Sequence, residues 1–291
     1  MSKLDGVDTT TIGHSVLGRP IKAFHVGDYG ENQIIISGAI HAREWITALV
    51  VAELLRQSAG GCFFDLLETQ PSQVCTSNIR TRKSKKQPPA LFATPLRGGI
   101  YFIPLCNPGG VEIALTMHPL LKANARMVDL NVNFDADWGG GAQNVRVAGS
   151  ENFIGEYPHS EPEVIALADF TKKIKPSATV AYHSKGEVIY WGFESSRESS
   201  LITSQLLART KRLAKLVGCV TGYKPIKTKN STGGYSDWVS MRLGVPALTI
   251  EVGNDDYEHP IGVDKLPEIL EQNREVPNVV LNFLNKSIKL S

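Results

Sequence analysis

Three residues of the chain have the types and the spacing of a catalytic zinc site. His41 and Glu44 are three positions apart, where an apolar run at 33–37 gives way to a helical pattern. This spacing lets an imidazole nitrogen and a carboxylate converge on one ion, and His183, after the apolar run 178–182, would supply a third ligand. Two histidines and one glutamate leave a fourth position for water, so the set predicts one Zn²⁺ per chain. The spacing alone also fits a hydrogen-bonded structural role for His41.

A fourth residue, Glu251, fits the base that hydrolysis at zinc requires. Zinc lowers the pKa of a bound water toward ~7, and a carboxylate that does not bind the metal must accept the proton of this water. Glu251 directly follows the apolar run 247–250, which would hold its carboxylate rigidly at the end of a strand. The alternative is an exposed glutamate beside the turn at Gly253 and Asn254. The buried character of the preceding run favours the catalytic interpretation.

The periodicity of apolar residues indicates the elements that must position these side chains. Predicted strands cover 21–28, 33–37, 100–105, 178–182 and 245–250. Predicted helices cover 44–56, 161–174, 200–217 and 266–286. This alternation predicts an α/β fold with a mixed, mostly parallel sheet and helices on both faces. The candidate catalytic residues follow the strands, where open α/β sheets carry their sites.

Length and composition narrow the class of protein. The chain has 291 residues, 42% of them hydrophobic, and we expect a single domain over 1–291 with a surface insertion at 57–99, rich in Gly, Pro and basic residues. A net charge of +2 predicts no nucleic-acid partner, and no apolar run approaches the ~18 residues that span a bilayer. The first residues lack the pattern of a signal peptide, so we expect a cytoplasmic protein. A Cys62–Cys75 disulfide and the oligomeric state stay open.

Short motifs along nearly the whole chain resemble one family. They are IGHSVLGRPI at 12–21, GAIHAREW at 38–45, NP at 107–108, DLNVNF at 129–134, YPHSEPE at 157–163, HS at 183–184 and GGYSDW at 233–238, followed by Glu251. In this order they resemble the zinc carboxypeptidases. The resemblance implies a twisted sheet of about eight strands and hydrolysis of peptides, with zinc on His41, Glu44 and His183 and with Glu251 as the base.

The residues that would stabilise the oxyanion and hold the substrate depart from the family pattern. Lys122 stands where the family has the arginine that polarises the carbonyl, and Arg126 is a second candidate. Family carboxypeptidases hold the substrate's terminal carboxylate with an Asn-Arg pair. Here the pair reads Asn131-Val132, so Asn131 could offer one weak contact but the charged partner is absent. Lys229 stands near the position of the tyrosine that closes over the substrate in the family.

Two further segments resemble the branch of the family that cuts γ-D-glutamyl–diamino acid bonds in bacterial cell-wall peptides. They are HSKGEVIYWG at 183–192 and KANAR at 122–126. Substrates of this branch carry several carboxylates and, in meso-diaminopimelate, a free ammonium. Glu187 is a candidate partner for the ammonium, and Ser236 is a further substrate-binding candidate. The candidates for the carboxylates are basic: Lys185, Lys229 and Arg126. The expected partner is therefore a peptide, in particular a murein peptide.

Three functions are compatible with these residues. The first is a γ-D-glutamyl–diaminopimelate peptidase, the second a zinc carboxypeptidase of other specificity, and the third a catalytically silent zinc protein that binds a peptide. Glu251 disfavours the third, because a binding module needs no base. Val132 disfavours the second, because valine cannot bind a terminal carboxylate. The sequence therefore predicts the first.

Overall fold

One mixed sheet of eight strands forms the centre of the fold. The computed structural model describes residues 6–60, 98–192, 202–229 and 231–287. Within these residues the strands are β1 (Asp8–His14), β2 (Pro20–Gly27), β3 (Gln33–Ser37), β4 (Gly99–Ile103), β5 (Ala178–His183), β6 (Val188–Trp191), β7 (Lys224–Lys227) and β8 (Ala247–Glu251). Their order across the sheet is β1-β2-β4-β3-β5-β8-β6-β7.

The centre of the sheet is parallel and its outer part is mixed. Strands β4, β3, β5 and β8 run parallel to one another, as do β6 and β7, whereas β1–β2, β2–β4 and β6–β8 pair antiparallel. Every residue of β3 and β5 is buried. Strands that are covered on both faces are continuous apolar runs. The sequence therefore predicts these two strands without an alternation of apolar and polar residues. The predicted fold class, a mixed and mostly parallel α/β sheet, is confirmed.

Helices cover both faces of this sheet. They are α1 (Ile46–Ser58), α2 (Pro108–Thr116), α3 (Pro162–Ile174), α4 (Ser204–Thr221), α5 (Tyr235–Leu243), α6 (Leu266–Asn273) and α7 (Val276–Ser287). Successive strand residues point to opposite faces. Ile34 and Ile36 accordingly lie in a core with α1, α4, α6 and α7, whereas Ile35 lies in a second core with α3 and α5. Within the described part of the chain, no helix combines the length and apolar character needed to cross a membrane.

Some elements differ from those that the sequence predicts. The segment 266–286 forms two helices rather than one, because Pro277 has no N–H for a continuous helix, and the break falls immediately before α7. Helix α4 lies about four residues later than predicted, since the side chain of Thr203 caps its start and Gly222, with a φ of 79°, ends it. Strand β1 has no predicted counterpart because it is an exposed edge strand without alternating apolar residues.

Most of the predicted insertion lies outside the described residues. Its first residues belong to α1, which continues to Ser58, and its last residue, Gly99, begins β4. The basic run and the open question of a Cys62–Cys75 disulfide concern residues 61–97, which the structure does not describe. A single domain over 1–291 therefore stays a prediction.

Candidate active site

His41, Glu44 and His183 form one buried group at the carboxyl ends of β3 and β5. Glu44 Oε1 lies 2.8 Å from His41 Nδ1, and Glu44 Oε2 lies 3.1 Å from His183 Nδ1. The two Nδ1 atoms are 3.1 Å apart. Among the described residues, these are the three His, Cys, Asp or Glu side chains whose ligand atoms lie close enough together to share a metal ion.

A tight turn between β3 and α1 positions the first two members of this group. Gly38 has no room for a side chain, since a Cβ there would lie 2.8 Å from the backbone oxygen of Thr47. Ala39, with a φ of 48°, donates its N–H to Thr47 Oγ1 at 2.7 Å. The Thr47 hydroxyl in turn donates to the backbone oxygen of Glu44 at 2.8 Å. These bonds fix the short 3-10 helix that ends at Glu44, directly after His41.

Asp129, which the sequence patterns include only as part of a motif, contacts His41 of this group through its carboxylate. Its Oδ1 lies 3.2 Å from His41 Nε2 and accepts the N–H of Asn131 at 3.0 Å. Its Oδ2 lies 2.9 Å from Lys122 Nζ and accepts the N–H of Asn152 at 3.1 Å. Burial alone would raise the pKa of Asp129, but Lys122 and His41 outweigh it and hold this pKa well below its usual range. An ionised Asp129 keeps a proton on His41 Nε2, which leaves Nδ1 for a metal.

The donor set and its dimensions fit a zinc ion. Two imidazole nitrogens and one carboxylate are ligands of known catalytic zinc sites. With zinc–nitrogen distances of ~2.0–2.1 Å, two ligands of a tetrahedral ion are about 3.3 Å apart. The 3.1 Å between His41 Nδ1 and His183 Nδ1 is close to this value. All three side chains are buried.

Glu251 lies beside the histidine of the neighbouring strand. It ends β8, and the register of the sheet pairs it with His183 at the end of β5. Burial raises the pKa of the Glu251 carboxyl to about 7; His183 opposes this rise and the carboxylate of Glu44 adds to it. A general base works best when its pKa is near the working pH, so the environment of Glu251 suits proton transfer.

His41, Glu44 and His183 together are called the metal group below. Its two histidines line a cleft with a volume of about 550 Å³. Lys122 lines this cleft together with His41, His183 and Glu251, and its ammonium lies 2.9 Å from Asp129 Oδ2. Burial lowers the pKa of Lys122, but the Asp129 carboxylate outweighs this effect and the net shift is upward. A fixed cation therefore faces the place where the carbonyl of a bound peptide would meet the metal group.

Three of the predicted substrate-binding residues also line the cleft: Asn131, Lys229 and Ser236. Asn131 lines the cleft, and its Oδ1 accepts the N–H of Tyr235 at 3.0 Å. Val132 lines the same wall, so the residue that replaces the family arginine does lie in the cleft. The Ser236 hydroxyl is 2.9 Å from Thr249 Oγ1, and together these two hydroxyls give this part of the cleft a small, polar surface.

The structure places the other predicted side chains elsewhere. Arg126 is 58% exposed and its guanidinium is 3.9 Å from Glu161. The ammonium of Lys185 contacts the backbone oxygen of Asp255, and Glu187 accepts a hydrogen bond from Gln272 Nε2 at 3.0 Å. None of these three predicted residues is part of the cleft lining among the described residues. Each has a partner outside the cleft lining, so we do not assign them substrate contacts.

Comparison with known proteins decides the family. The model of the zinc carboxypeptidase family matches residues 3–61 and 94–276, which include the metal group, the cleft and Glu251. The chain belongs to the zinc carboxypeptidase family. The predicted recognition of this family is therefore confirmed.

The proteins that this chain resembles carry different names. The chain is 30% identical over 273 residues to gamma-D-glutamyl-L-diamino acid endopeptidase 1 of Lysinibacillus sphaericus, a match over 87% of this chain and 62% of that relative. The structure resembles bovine thrombin-activatable fibrinolysis inhibitor, with a TM-score of 0.76 at 20% identity over 97% of this chain and 92% of the other. It also resembles murein-tripeptide amidase MpaA from Escherichia coli O157, with a TM-score of 0.56 at 20% identity over 94% and 91%.

In this zinc carboxypeptidase fold, Asp129→Asn is expected to lower the affinity for zinc by about 10–100-fold, as loss of a hydrogen-bonding partner of a metal-ligating histidine typically does. Asparagine keeps the shape of Asp129 but removes the charge that fixes the tautomer of His41. Competition with a chelator measures the affinity. Asp135→Asn is the matched control, because Asp135 is exposed and pairs with Arg242. Equal affinity in both variants would contradict the role of Asp129.

Proposed function

We propose that the protein is a zinc-dependent peptidase that hydrolyses the γ-D-glutamyl–diaminopimelate amide bond of cell-wall peptides. The observation that carries this proposal is the composition of the cleft beside the metal group. It is lined by Lys122 and Lys229, while Val132 occupies the place of the family's carboxylate-binding arginine. The name of the relative from Lysinibacillus sphaericus supports the same bond.

One zinc ion per chain would be held by His41, Glu44 and His183. When bound there, zinc supplies a Lewis acid for the scissile carbonyl and an acidified water at neutral pH. Glu251 accepts the proton of the attacking water and passes it to the leaving amine, as a base with a pKa of about 7 can do. Lys122 faces the carbonyl oxygen, where its charge stabilises the negative charge that develops in the transition state.

The proposed substrate matches the charges of the cleft. In the substrate, the diaminopimelate residue carries two carboxylates and, at the far end of its side chain, an ammonium. Lys229 and the amide of Asn131 would bind a carboxylate, although without the paired geometry of an arginine. Ser236 and Thr249 offer hydroxyl oxygens that can accept from an ammonium. An apolar C-terminal side chain, such as leucine, gains little from these polar groups.

We expect the zinc-loaded protein to cleave L-Ala-γ-D-Glu-meso-diaminopimelate with a higher kcat/KM than a peptide that ends in leucine. Mass analysis of the products identifies the bond that is cut, and rates with both peptides give the preference. The expected products from the tripeptide are L-Ala-D-Glu and diaminopimelate. A wild-type enzyme that prefers the leucine peptide would replace this proposal with the alternative of a carboxypeptidase of other specificity.

Val132→Arg tests the same specificity in the opposite direction, because it places an arginine where family carboxypeptidases have one. A charge-assisted contact to a carboxylate contributes about 1.5–3 kcal/mol, which is roughly tenfold or more in binding. The variant should therefore improve kcat/KM for the leucine peptide relative to wild type. Lys229→Ala should instead weaken use of the tripeptide, with zinc content unchanged. A murein peptide as partner and a cytoplasmic location are predictions that accompany this function.

A further inference from the structure

The loop 122–129 carries two charged residues of the site at its two ends. Lys122 begins it and Asp129 ends it, and their side chains meet at 2.9 Å. The backbone oxygen of Lys122 also accepts the N–H of Ala42, next to His41, at 3.0 Å. The shape of this loop therefore determines where the ammonium lies, where the carboxylate lies and how both approach His41.

A single buried side chain, that of Asn124, holds the two arms of this loop together. Its Oδ1 accepts the N–H of Arg126 at 3.0 Å and the N–H of Val128 at 3.1 Å. Its backbone N–H donates to the oxygen of Val128 at 2.9 Å, and its own oxygen accepts the N–H of Met127 at 3.0 Å. Asn124 has no exposed surface. The asparagine thus fixes a turn of five residues from inside.

The amide nitrogen of Asn124 attaches this turn to the start of α3. Nδ2 donates to Glu161 Oε2 at 2.7 Å and lies 3.3 Å from Glu163 Oε2. Both glutamates are almost completely buried. Glu163 also accepts the N–H of Val16, and Glu161 accepts the hydroxyl of Ser160, so neither carboxylate is free to move with the loop. The start of α3 acts as a fixed support for the turn.

We propose that Asn124 is the positioning residue that places Lys122 and Asp129 in the active site. The inference rests on the roles proposed above for these two charged residues. Among the described residues, Asn124 belongs neither to the metal group nor to the cleft lining. Its carboxamide is specifically required, because the oxygen must accept from two backbone N–H groups while the nitrogen donates to buried carboxylates. Arg126, whose guanidinium lies 3.9 Å from Glu161, belongs to the same support rather than to the cleft.

Asn124→Asp tests this requirement with almost no change of shape. The variant keeps the acceptor for Arg126 and Val128 but places a third carboxylate against Glu161 and Glu163. A buried donor is replaced by a like charge, so the turn must move away from α3. We expect kcat to fall by about 10–100-fold with little change in KM. The affinity for zinc should fall by a similar factor, as it does when a residue that orients a metal ligand is changed.

The double variant Asn124→Asp with Glu161→Gln supplies the rescue. It exchanges the amide and the carboxylate across the 2.7 Å hydrogen bond, so that a glutamine nitrogen donates to the new aspartate. Burial raises the pKa of the Glu163 carboxyl, which lets this neighbour take up a proton beside the aspartate. We expect most of kcat and of the zinc affinity to return. Asn273→Asp is the control: this asparagine is equally buried and also donates two hydrogen bonds, at the end of α6.

The rates are measured with whichever of the two peptides the wild type cleaves, and zinc affinity is measured by competition with a chelator. Loss in Asn124→Asp, recovery in the double variant and near-wild-type kcat and zinc affinity in Asn273→Asp, at a lowered melting temperature, support the inference. Unchanged kcat and zinc affinity in Asn124→Asp would overturn it, and so would a loss that the double variant does not reverse. Failure of the wild type to cleave either peptide would count against the proposed function, whereas the zinc affinities would still test Asn124.

Discussion

Glu251→Gln is expected to lower kcat by about 10²–10⁴-fold, the typical contribution of a general acid–base group. Glutamine has nearly the same shape but cannot accept the proton of the attacking water. Zinc content per chain should stay the same, because Glu251 is outside the group formed by His41, Glu44 and His183. Steady-state rates and metal analysis of the same preparation measure both quantities.

The position of Glu251 explains why no other glutamate should replace it. The carboxylate ends a buried strand, its neighbour across the sheet is the ligand His183, and burial raises its pKa to about 7. Glu271→Gln is the matched control, since Glu271 is exposed on α6 and pairs with Arg274. Unchanged turnover in Glu251→Gln would remove Glu251 from the mechanism, whereas equal losses in both variants would indicate a general effect on folding.

The sequence predicts that His41, Glu44 and His183 lie together because their placement depends on local patterns. His183 and Glu251 directly end apolar strands, and His41 and Glu44 lie three residues apart in one turn. Parallel strands that lie side by side bring their carboxyl ends to one edge of the sheet, so residues at these ends meet whatever the loops do. The same reasoning gives the central strands, whose apolar runs are long enough to be recognised singly.

The residues around the metal group depend on contacts between distant parts of the chain, and local patterns do not reveal these contacts. Asp129 meets His41 from 88 positions away in the sequence, and Glu187 meets Gln272 from 85 positions away. The motif DLNVNF includes Asp129 in a family resemblance, but it gives no indication that this carboxylate lies against His41 and Lys122. Glu187 lies four residues after His183, yet its partner is on α6.

The edges of the sheet are a second part that the sequence leaves undetermined. Strand β7 has only four residues, Lys224–Lys227, and includes a proline, whereas β1 is largely exposed. Prolines and short lengths are typical of edge strands, which carry few apolar side chains for a pattern to detect. Both strands lie at the outer ends of the sheet, and β7 leads directly to the cleft residue Lys229.

His183→Ala is expected to reduce bound zinc from one ion per chain toward none after dialysis, and to abolish peptide cleavage. The ion would keep only His41 and Glu44, and alanine would leave Glu44 Oε2 facing a gap where His183 Nδ1 stands 3.1 Å away. A site with three protein ligands and one water has no spare ligand to fill this gap.

Ser184→Ala separates loss of the ligand from disturbance of the strand end. Within the described residues the Ser184 hydroxyl has no hydrogen-bond partner, and the backbone N–H that donates to Glu44 at 3.2 Å is retained in alanine. This neighbour should therefore bind zinc as the wild type does, while His183→Ala does not. Metal analysis and a melting curve of each variant distinguish a lost ligand from a lost fold. Equal zinc in His183→Ala and wild type would show that His183 is not a metal ligand. The pairing of β5 with β8 would then no longer explain how the metal comes to lie beside Glu251.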